Sequence, residues 1–244
     1  SPERLVAQAK NGAVNVIEAA SRAGIKRIVV TSSILAVTDT EKVKERTYIS
    51  TDWADPMDPK LNSYALSKTL SEKAAWNLAD KNNLEMAVVN PGMVLGPALE
   101  PDYGSSLEAV NKFLTGAVPM IPKIGYDIVD VRDVATLHRI AYENSEAVNQ
   151  RLLCGAGFRW FSEIAELLRK EFPDYEKKIA RREMPLSLTH IFALFIREMT
   201  SFNNDLNVVR KMDCSPAIQL GWKPRSPEVA IIDGARSLIN LGVV

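Results

Sequence analysis

Residues 63–92 read SYALSKTLSEKAAWNLADKNNLEMAVVNPG, and they contain the clearest secondary-structure pattern of the chain. Its first part predicts a long helix over 63–82. The run EMAVVN at 85–90 predicts a short strand that is buried on both faces and ended by Pro91 and Gly92. A strand of this kind is typical of a parallel sheet covered by helices.

A helix and a strand of the same kind precede this stretch. Ser1 can cap a helix whose first position is Pro2, apolar residues then recur at helical spacing, and Gly24 ends it. The run RIVVTS at 27–32 predicts another strand buried on both faces. The order helix, strand, helix, strand predicts right-handed crossovers and a parallel α/β sheet.

The sequence changes character after Pro97, where loops lengthen and prolines and glycines become frequent. Regular elements return further on: helices are predicted at 106–114, 130–143 and 162–172, a strand at Arg151–Cys154, and a mostly helical last third. This contrast predicts a cofactor half and a substrate half. The cofactor half is expected at 1–98 with about 127–155, and the substrate half at 99–126 with about 156–244.

Charge and apolar content narrow the set of partners. Lys plus Arg and Asp plus Glu each number 30 in the 244 residues, so the net charge is zero. A balanced charge argues against nucleic acid or an anionic membrane as the main partner. The apolar segment 185–202 is short, and Arg197 and Glu198 interrupt it. We therefore expect a core helix or a pocket wall rather than a membrane contact.

The cysteines and histidines also exclude several classes of protein. Cys154 and Cys214 lie far apart, which excludes a disulfide scaffold and predicts reduced thiols in a cytoplasmic protein. His138 and His190 have no metal-ligand spacing, so no metal site is predicted. We expect His138 to be a structural or surface residue.

The strongest chemical signal is the pair Tyr64 and Lys68 on the second long helix. Residues four apart lie on one helical face, so the phenol and the ammonium can point into one cleft. A nearby cation favours the phenolate and is expected to lower the tyrosine pKa from about 10 towards neutrality, where the phenol can serve as a general acid or base. The alternative is a surface tyrosine beside a helix lysine.

Two further segments lie at the carboxyl ends of predicted strands, where open α/β sheets bind ligands. Thr31, Ser32 and Ser33 lie at the carboxyl end of the first strand, and a serine there can hydrogen-bond a substrate carbonyl or the tyrosine oxygen. The alternative is a turn or a capping serine. The segment NPGMVLGP at 90–97 follows the next strand, and its glycines allow close backbone approach to a flat ligand; the alternative is a simple turn.

Together, the strand with TSS, the YxxxK spacing and NPGMVLGP resemble an extended short-chain dehydrogenase/reductase. The run SKTLSEKAAW at 67–76 resembles the dihydroflavonol reductase-like branch, which includes cinnamoyl-CoA reductases and bacterial aldehyde or ketone reductases. The segments DVRDVA at 130–135 and LGWKPR at 220–225 also fit. The resemblance covers essentially the whole chain. It implies the C-terminal part of a Rossmann-like, doubly wound parallel sheet with a smaller, mainly helical substrate part.

The resemblance implies an NAD(P)H-dependent reductase of an aldehyde or ketone, with NADP(H) favoured over NAD(H) and a small carbonyl compound as substrate. It implies that Tyr64 donates a proton to the carbonyl oxygen, that Lys68 binds the nicotinamide ribose and that Ser33 orients the carbonyl. It further implies a homodimer through the first two long helices. The residues implied to bind the cofactor are Thr31, Ser32, Tyr64, Lys68, Pro91, Gly92, Met93, Val94 and Ser106.

One part of the family pattern is missing from the sequence. The nucleotide-binding glycine motif is represented only by Gly155-Ala156-Gly157, after a strand and before a helix, and Trp160 stands where the third glycine belongs. The first helix resembles the one that follows the fourth strand of the family fold. We therefore expect about 80–90 further residues, with the pyrophosphate loop and the residue that distinguishes NAD from NADP, upstream of Ser1.

The substrate signals leave alternatives open. Plant dihydroflavonol reductases carry Asn where Thr38 stands and Gln near Asp127, which weakens a flavonoid substrate; an ion pair with a nearby Arg is the plain alternative for Asp127. Gly96-Pro97 is followed by ALE at 98–100 rather than by the Arg of nucleotide-sugar epimerases. An epimerase or dehydratase with bound NAD is thereby disfavoured. A non-catalytic dinucleotide sensor on the same fold is the third alternative.

Overall fold

A computed structural model describes residues 1–186 and 204–244. Most of the apolar segment predicted at 185–202, and His190 within it, lie outside these described residues. The described helices are α1 (Pro2–Arg22), α2 (Ser63–Lys81), α3 (Ser105–Thr115), α4 (Val131–Glu143), α5 (Phe161–Glu171), α6 (Ser215–Gln219) and α7 (Pro227–Asn240). The described strands are β1 (Arg27–Thr31), β2 (Glu45–Tyr48), β3 (Glu85–Pro91), β4 (Met93–Leu95), β5 (Gly125–Asp130), β6 (Arg151–Cys154), β7 (Phe158–Trp160) and β8 (Val209–Met212).

The predicted parallel α/β sheet is confirmed. Strands β1, β3 and β6 pair in this order, and both pairs are parallel. Successive side chains of β3 point to opposite faces. Met86 and Val88 pack on α1 and α2 beside Ile17, whereas Ala87 and Val89 pack in the core that contains α4. Helices on both faces explain why a strand without polar alternation is stable here.

The first strand differs from the prediction. β1 was expected to be buried on both faces, but four of its five residues are only half-buried and Thr31 is exposed. The reason is its place in the sheet, because β1 lies at the edge and pairs only with β3 among the described strands. The first helix does follow the prediction: the Ser1 hydroxyl accepts from the Arg4 amide, and Pro2 is the first helical residue.

The chain also forms strands that sequence patterns did not predict. β5 pairs in parallel with β4 and antiparallel with β7, and β2 pairs in parallel with β8. The predicted helix 130–143 begins one residue later than expected, because Asp130 ends β5 and caps α4 by accepting from the Arg132 amide at 2.9 Å. All of these short strands except β4 carry charged residues, and their pairing partners are distant in the sequence, so local patterns do not identify them.

A second core lies where α3, α5 and α7 pack against β4 and β5. Most of its buried residues come from α3, α5 and α7, with others from β4, β5 and loops, and Phe113 meets Phe161 edge-to-face with ring centroids 5.7 Å apart. Cys154 and Cys214 are buried free thiols. Within residues 1–186 and 204–244, no helix is long and apolar enough to cross a membrane, and no cluster of His, Cys, Asp and Glu could hold a metal ion.

Candidate active site

The carboxyl ends of β1 and β3 and the first turn of α2 open into one cavity of about 840 Å³. Five of the residues predicted for the site line this cavity: Ser33, Tyr64, Gly92, Met93 and Ser106. Ser33 is the second residue after β1. Gly92 lies between β3 and β4, and Ser106 belongs to α3. Ligands of open α/β sheets bind at this edge. The structure therefore places Ser33 and Tyr64, the two residues whose hydroxyl groups were predicted to act in catalysis, at the same cavity.

Tyr64 is placed by the start of α2. Asn62 caps this helix, since its Oδ1 accepts from the Ala65 amide at 2.8 Å. Tyr64 is therefore in the first turn, and 49% of its surface is exposed. Its hydroxyl has no hydrogen-bond partner among the described residues, so a substrate or cofactor oxygen can take that place.

Lys68 follows Tyr64 one turn along α2, and its Nζ lies 5.8 Å from the centre of the Tyr64 ring. The sequence predicted that Lys68 lowers the tyrosine pKa, but in this structure partial burial raises the pKa of Tyr64. The prediction is wrong here because spacing fixes the helical face and not the distance from the ammonium to the hydroxyl. Lys68 lies over the aromatic ring rather than at the phenol oxygen.

The Ser33 hydroxyl caps a turn and keeps its hydrogen available for donation. Its Oγ accepts from the Leu35 amide at 3.2 Å and so caps the short 3-10 helix Ile34–Ala36. Its backbone carbonyl accepts from Asn90 Nδ2 at 3.2 Å. The capping bond uses a lone pair of the hydroxyl, and no acceptor for its proton is present in the described part of the chain. The Ser33 hydroxyl can therefore cap the turn and donate to a ligand in the cavity.

The other predicted site residues do not line the cavity; they are Thr31, Ser32, Lys68, Pro91 and Val94. Thr31 is exposed and its Oγ1 lies 2.7 Å from His138 Nε2, while His138 Nδ1 lies 2.8 Å from the Val134 carbonyl. His138 thus has the structural role that was expected. Ser32 is buried and donates to Glu72 at 2.5 Å.

Gly92 and Gly155 are explained by contacts within the protein. A Cβ atom on Gly92 would lie 2.1 Å from the Asp127 carbonyl oxygen, and one on Gly155 would lie 2.3 Å from Asp127 Oδ1. The segment Gly155-Ala156-Gly157 leads into β7 and not directly into a helix, so it lacks the helix N-terminus of a pyrophosphate site. The backbone of β5, rather than a ligand, therefore occupies the space where a side chain at position 92 would stand.

Asp127 bonds backbone amides instead of forming the ion pair that was the plain alternative from the sequence. Its carboxylate accepts from the Gly157 amide at 2.9 Å and from the Met212 amide at 3.2 Å, and it has no salt bridge among the described residues. The side chain is buried, and this burial raises the pKa of Asp127. Asp127 thus holds a loop to a strand.

The cavity wall away from Ser33 and Tyr64 is mostly apolar and was not predicted from the sequence. Its apolar residues are Ala109, Phe113, Val118, Met120, Ile124, Phe161, Met184 and Leu206. One polar corner interrupts this wall: Tyr126 Oη donates to Asp205 Oδ2 at 2.9 Å, and Arg210 donates to Asp205 Oδ1 at 2.7 Å. Burial raises the pKa of Asp205 and of Tyr126. No local signal marks these residues, because they meet only through the fold.

Comparisons with known proteins agree on one family. The model of the NAD dependent epimerase/dehydratase family matches residues 1–155. Cinnamoyl-CoA reductase 1 from Arabidopsis thaliana is 40% identical over 177 residues, which cover 71% of this chain and 51% of that protein. Tetraketide alpha-pyrone reductase 2 from the same plant is 34% identical over 188 residues, which cover 74% of this chain and 58% of that protein.

A solved structure extends the likeness to almost the whole chain. Yeast methylglyoxal/isovaleraldehyde reductase Gre2, complexed with NADPH, matches with a TM-score of 0.79 at 25% identity. The match covers 97% of this chain and 71% of the yeast chain. The chain spans about half the length of the curated relatives that it matches.

Proposed function

The chain belongs to the NAD dependent epimerase/dehydratase family, and from this premise we propose that it is the carbonyl-reducing part of an NAD(P)H-dependent reductase of aldehydes or ketones. Its reductase relatives confirm the resemblance to the dihydroflavonol reductase-like branch. The observation that carries the proposal is that Ser33 and Tyr64, which both have hydroxyl side chains, line one largely apolar cavity. A carbonyl oxygen needs such donors as negative charge develops on it.

The residues at the cavity fit a nicotinamide ring and its ribose. Gly92 and Met93 offer backbone groups and an apolar surface, and the Tyr64 phenol offers a hydrogen bond to a ribose hydroxyl. Lys68 lies outside this lining, one turn along α2, and its ammonium, on a flexible stem, would reach the ribose from there. Ser106 is a further donor on the opposite helix. The reduced nicotinamide supplies a hydride to the carbonyl carbon when it is bound. We favour NADP(H), since the yeast relative is complexed with NADPH.

The proton follows a short path. The Ser33 hydroxyl donates to the carbonyl oxygen and orients it, and Tyr64 transfers its proton to the same oxygen as the alcohol forms. Burial raises the pKa of Tyr64, so the phenol holds its proton at neutral pH and is ready to donate it. The phenolate left behind takes its proton back from solvent, while Lys68, one turn along α2, would hold the nicotinamide ribose.

The cavity lining favours an apolar carbonyl compound over a nucleotide sugar. Most lining side chains are aliphatic, aromatic or methionine, and such pockets are matched by apolar ligands. The lining contains one cation among the described residues, Lys112, whose Nζ lies 4.0 Å from Glu108. A diphosphate would call for more positive charge than this. The segment that follows Gly96-Pro97 ends in Glu100 and adds none.

We also propose the division and the assembly that the sequence predicted. Residues 1–98 with about 127–155 form the cofactor part, and the remaining residues form the substrate part. Two copies pair through α1 and α2, where Val16 of α1 is 68% exposed. Light scattering of the full-length protein, with Val16→Glu as the disrupting variant, measures this assembly.

The proposed activity is tested with the full-length protein. We expect NADPH consumption with at least one of a panel of apolar aldehydes and ketones. We expect Tyr64→Phe to lower kcat by about 10²–10⁴-fold because the proton donor is lost. Tyr142→Phe, which changes a 59% exposed tyrosine, is the matched control and should keep full activity. Full activity of Tyr64→Phe would contradict the mechanism, and tight NADPH binding without any reduction would favour the sensor.

A further inference from the structure

Glu72 is a buried carboxylate on the same helix as Tyr64, two turns further along, and only 2% of its surface is exposed. Its Oε2 accepts from Ser32 Oγ at 2.5 Å and from Asn90 Nδ2 at 2.8 Å. Its Oε1 accepts from Arg151 Nε at 2.6 Å and from Trp76 Nε1 at 3.3 Å. One side chain of α2 is therefore bonded to residues at the ends of β1 and β3 and to the start of β6.

Asn90 extends this network to Ser33. The same Nδ2 that donates to Glu72 also donates to the Ser33 carbonyl at 3.2 Å. Both neighbours are acceptors, so the amide must present its NH₂ group to them. Its Oδ1 is then left buried without a partner among the described residues, which costs stability. In this orientation the Asn90 amide links Glu72 to Ser33 through two donated hydrogen bonds, while its own oxygen accepts none from the described residues.

Arg151 holds the other side of the Ser33 turn. Its NH1 donates to the carbonyls of Ser50 at 2.7 Å and Asp52 at 2.5 Å, and its guanidinium lies 3.7 Å from the centre of the Trp53 ring. The loop that it grips is joined to the 3-10 helix after Ser33, because the Ala54 amide donates to the Ala36 carbonyl at 3.1 Å. The Glu72–Arg151 pair therefore fixes the chain on both sides of Ser33.

A buried ion pair is a costly way to gain stability, because apolar side chains of similar volume often stabilise a core as well or better. What the charged pair offers is direction, since each of its hydrogen bonds has a defined length and angle. Here the bonds link the helix that carries Tyr64 to the turn that carries Ser33. The network thus controls the relative position of the two hydroxyl groups.

We propose that Glu72 and Asn90 are positioning residues, which hold Ser33 at the distance from Tyr64 that carbonyl reduction requires. The inference rests on the proposed function and deepens it. Neither residue lines the cavity, so neither touches the substrate. Their effect on turnover passes entirely through Ser33. Small misplacements of a catalytic group are enough to lower a rate about 100-fold.

The test is a double-mutant cycle in the full-length enzyme between Asn90→Ala and Ser33→Ala. We expect Asn90→Ala alone to lower kcat about 10–100-fold, with KM and the Kd for NADPH within about threefold of wild type. In the Ser33→Ala background the same change should lower kcat by no more than about twofold, because the group that it positions is gone. A full, multiplicative loss in that background would overturn the proposal.

The matched control is Thr69→Val, since Thr69 is fully buried on the same helix and its hydroxyl donates to the Ala65 carbonyl of that helix. It should change kcat by less than about twofold even where it lowers Tm, because a merely structural role does not alter the rate of folded enzyme. If Asn90→Ala does not fold, Ser32→Ala removes one bond to Glu72 and should give a smaller loss in the same direction.

A second measurement does not depend on activity. Amide hydrogen exchange at Val37, whose N–H bonds the Ile34 carbonyl at 2.8 Å, reports whether the Ser33 turn is held. We expect exchange at Val37 to become about tenfold faster in Asn90→Ala and to stay unchanged in Thr69→Val. Unchanged exchange in Asn90→Ala would overturn the positioning role. If Ser33→Ala and Tyr64→Phe both keep full turnover, the proposed function fails instead, and the exchange data still decide the positioning role.

Discussion

The two walls of the cavity are held in different ways. The wall that carries Ser33 and Tyr64 is anchored by a charged network around Glu72, with hydrogen bonds of defined direction from three strands and a helix. The opposite wall is made of apolar side chains such as Phe113 and Phe161, which pack into the second core without direction beyond shape. The Tyr126–Asp205 corner adds a polar bond there.

This difference assigns separate tasks to the walls. Hydrogen bonds and charges fix angles and distances, as proton transfer requires, whereas apolar packing sets volume and excludes water. Substitutions in the Glu72 network should therefore change stability and kcat. Substitutions in the apolar wall should change KM and the choice of substrate.

The largest effect is expected when the charged network loses its cation. Arg151→Met leaves Glu72 buried without its counter-charge, so the free energy of unfolding should fall by about 3–5 kcal/mol. The control is Arg139→Met, whose exposed pair with Glu143 should be worth less than about 0.5 kcal/mol. Urea unfolding measures both variants. A loss below about 1 kcal/mol for Arg151→Met would remove the distinction between the walls.

An intermediate effect is expected from the apolar wall. Met120→Ala removes lining surface from the cavity, so KM for the best apolar substrate should rise about tenfold with kcat nearly unchanged. Met57→Ala changes a methionine that is 84% exposed, and it should leave both constants as they are. Steady-state kinetics separates the outcomes. A fall in kcat at constant KM for Met120→Ala would show that this wall also positions the reacting groups.

The smallest effect concerns the proton of Tyr64. Because burial raises the pKa of Tyr64 and Lys68 lies over the ring, Tyr64 should ionise above the ordinary tyrosine value of about 10 in the cofactor-free protein. The phenol is therefore protonated, and able to donate, at every pH below that range. The difference in ultraviolet titration between wild type and Tyr64→Phe measures it. A midpoint below about 10 would restore the predicted influence of Lys68.

Local patterns in the sequence predicted much of one wall and little of the other. Helix α2 and strand β3 have strong local patterns, and the rule that ligands bind at carboxyl ends of strands pointed to the segment 31–33, from which the family resemblance selected Ser33. The pairing of β2 with β8 joins short strands far apart in the sequence, so no local pattern indicates it. The contact of Tyr126 with Asp205 is equally long-range.

The roles within the network were also beyond local patterns. Glu72 belongs to a segment whose resemblance to the family was evident, but only the fold shows that its carboxylate meets Ser32, Asn90 and Arg151. Ser32 was predicted to bind the cofactor because it lies at the carboxyl end of a strand. In the structure its side chain is buried and bonds Glu72 instead of lining the cavity. Side-chain direction at a strand end depends on which neighbours pack there.

The central claim is that the hydroxyl groups of Ser33 and Tyr64 converge on the reacting oxygen. A crystal structure of the full-length protein with NADP⁺ and the alcohol product of its best substrate tests this most directly. We expect the alcohol oxygen to lie about 2.6–3.2 Å from both Ser33 Oγ and Tyr64 Oη. An alcohol oxygen bound instead at the Tyr126–Asp205 corner, out of reach of both hydroxyl groups, would contradict it.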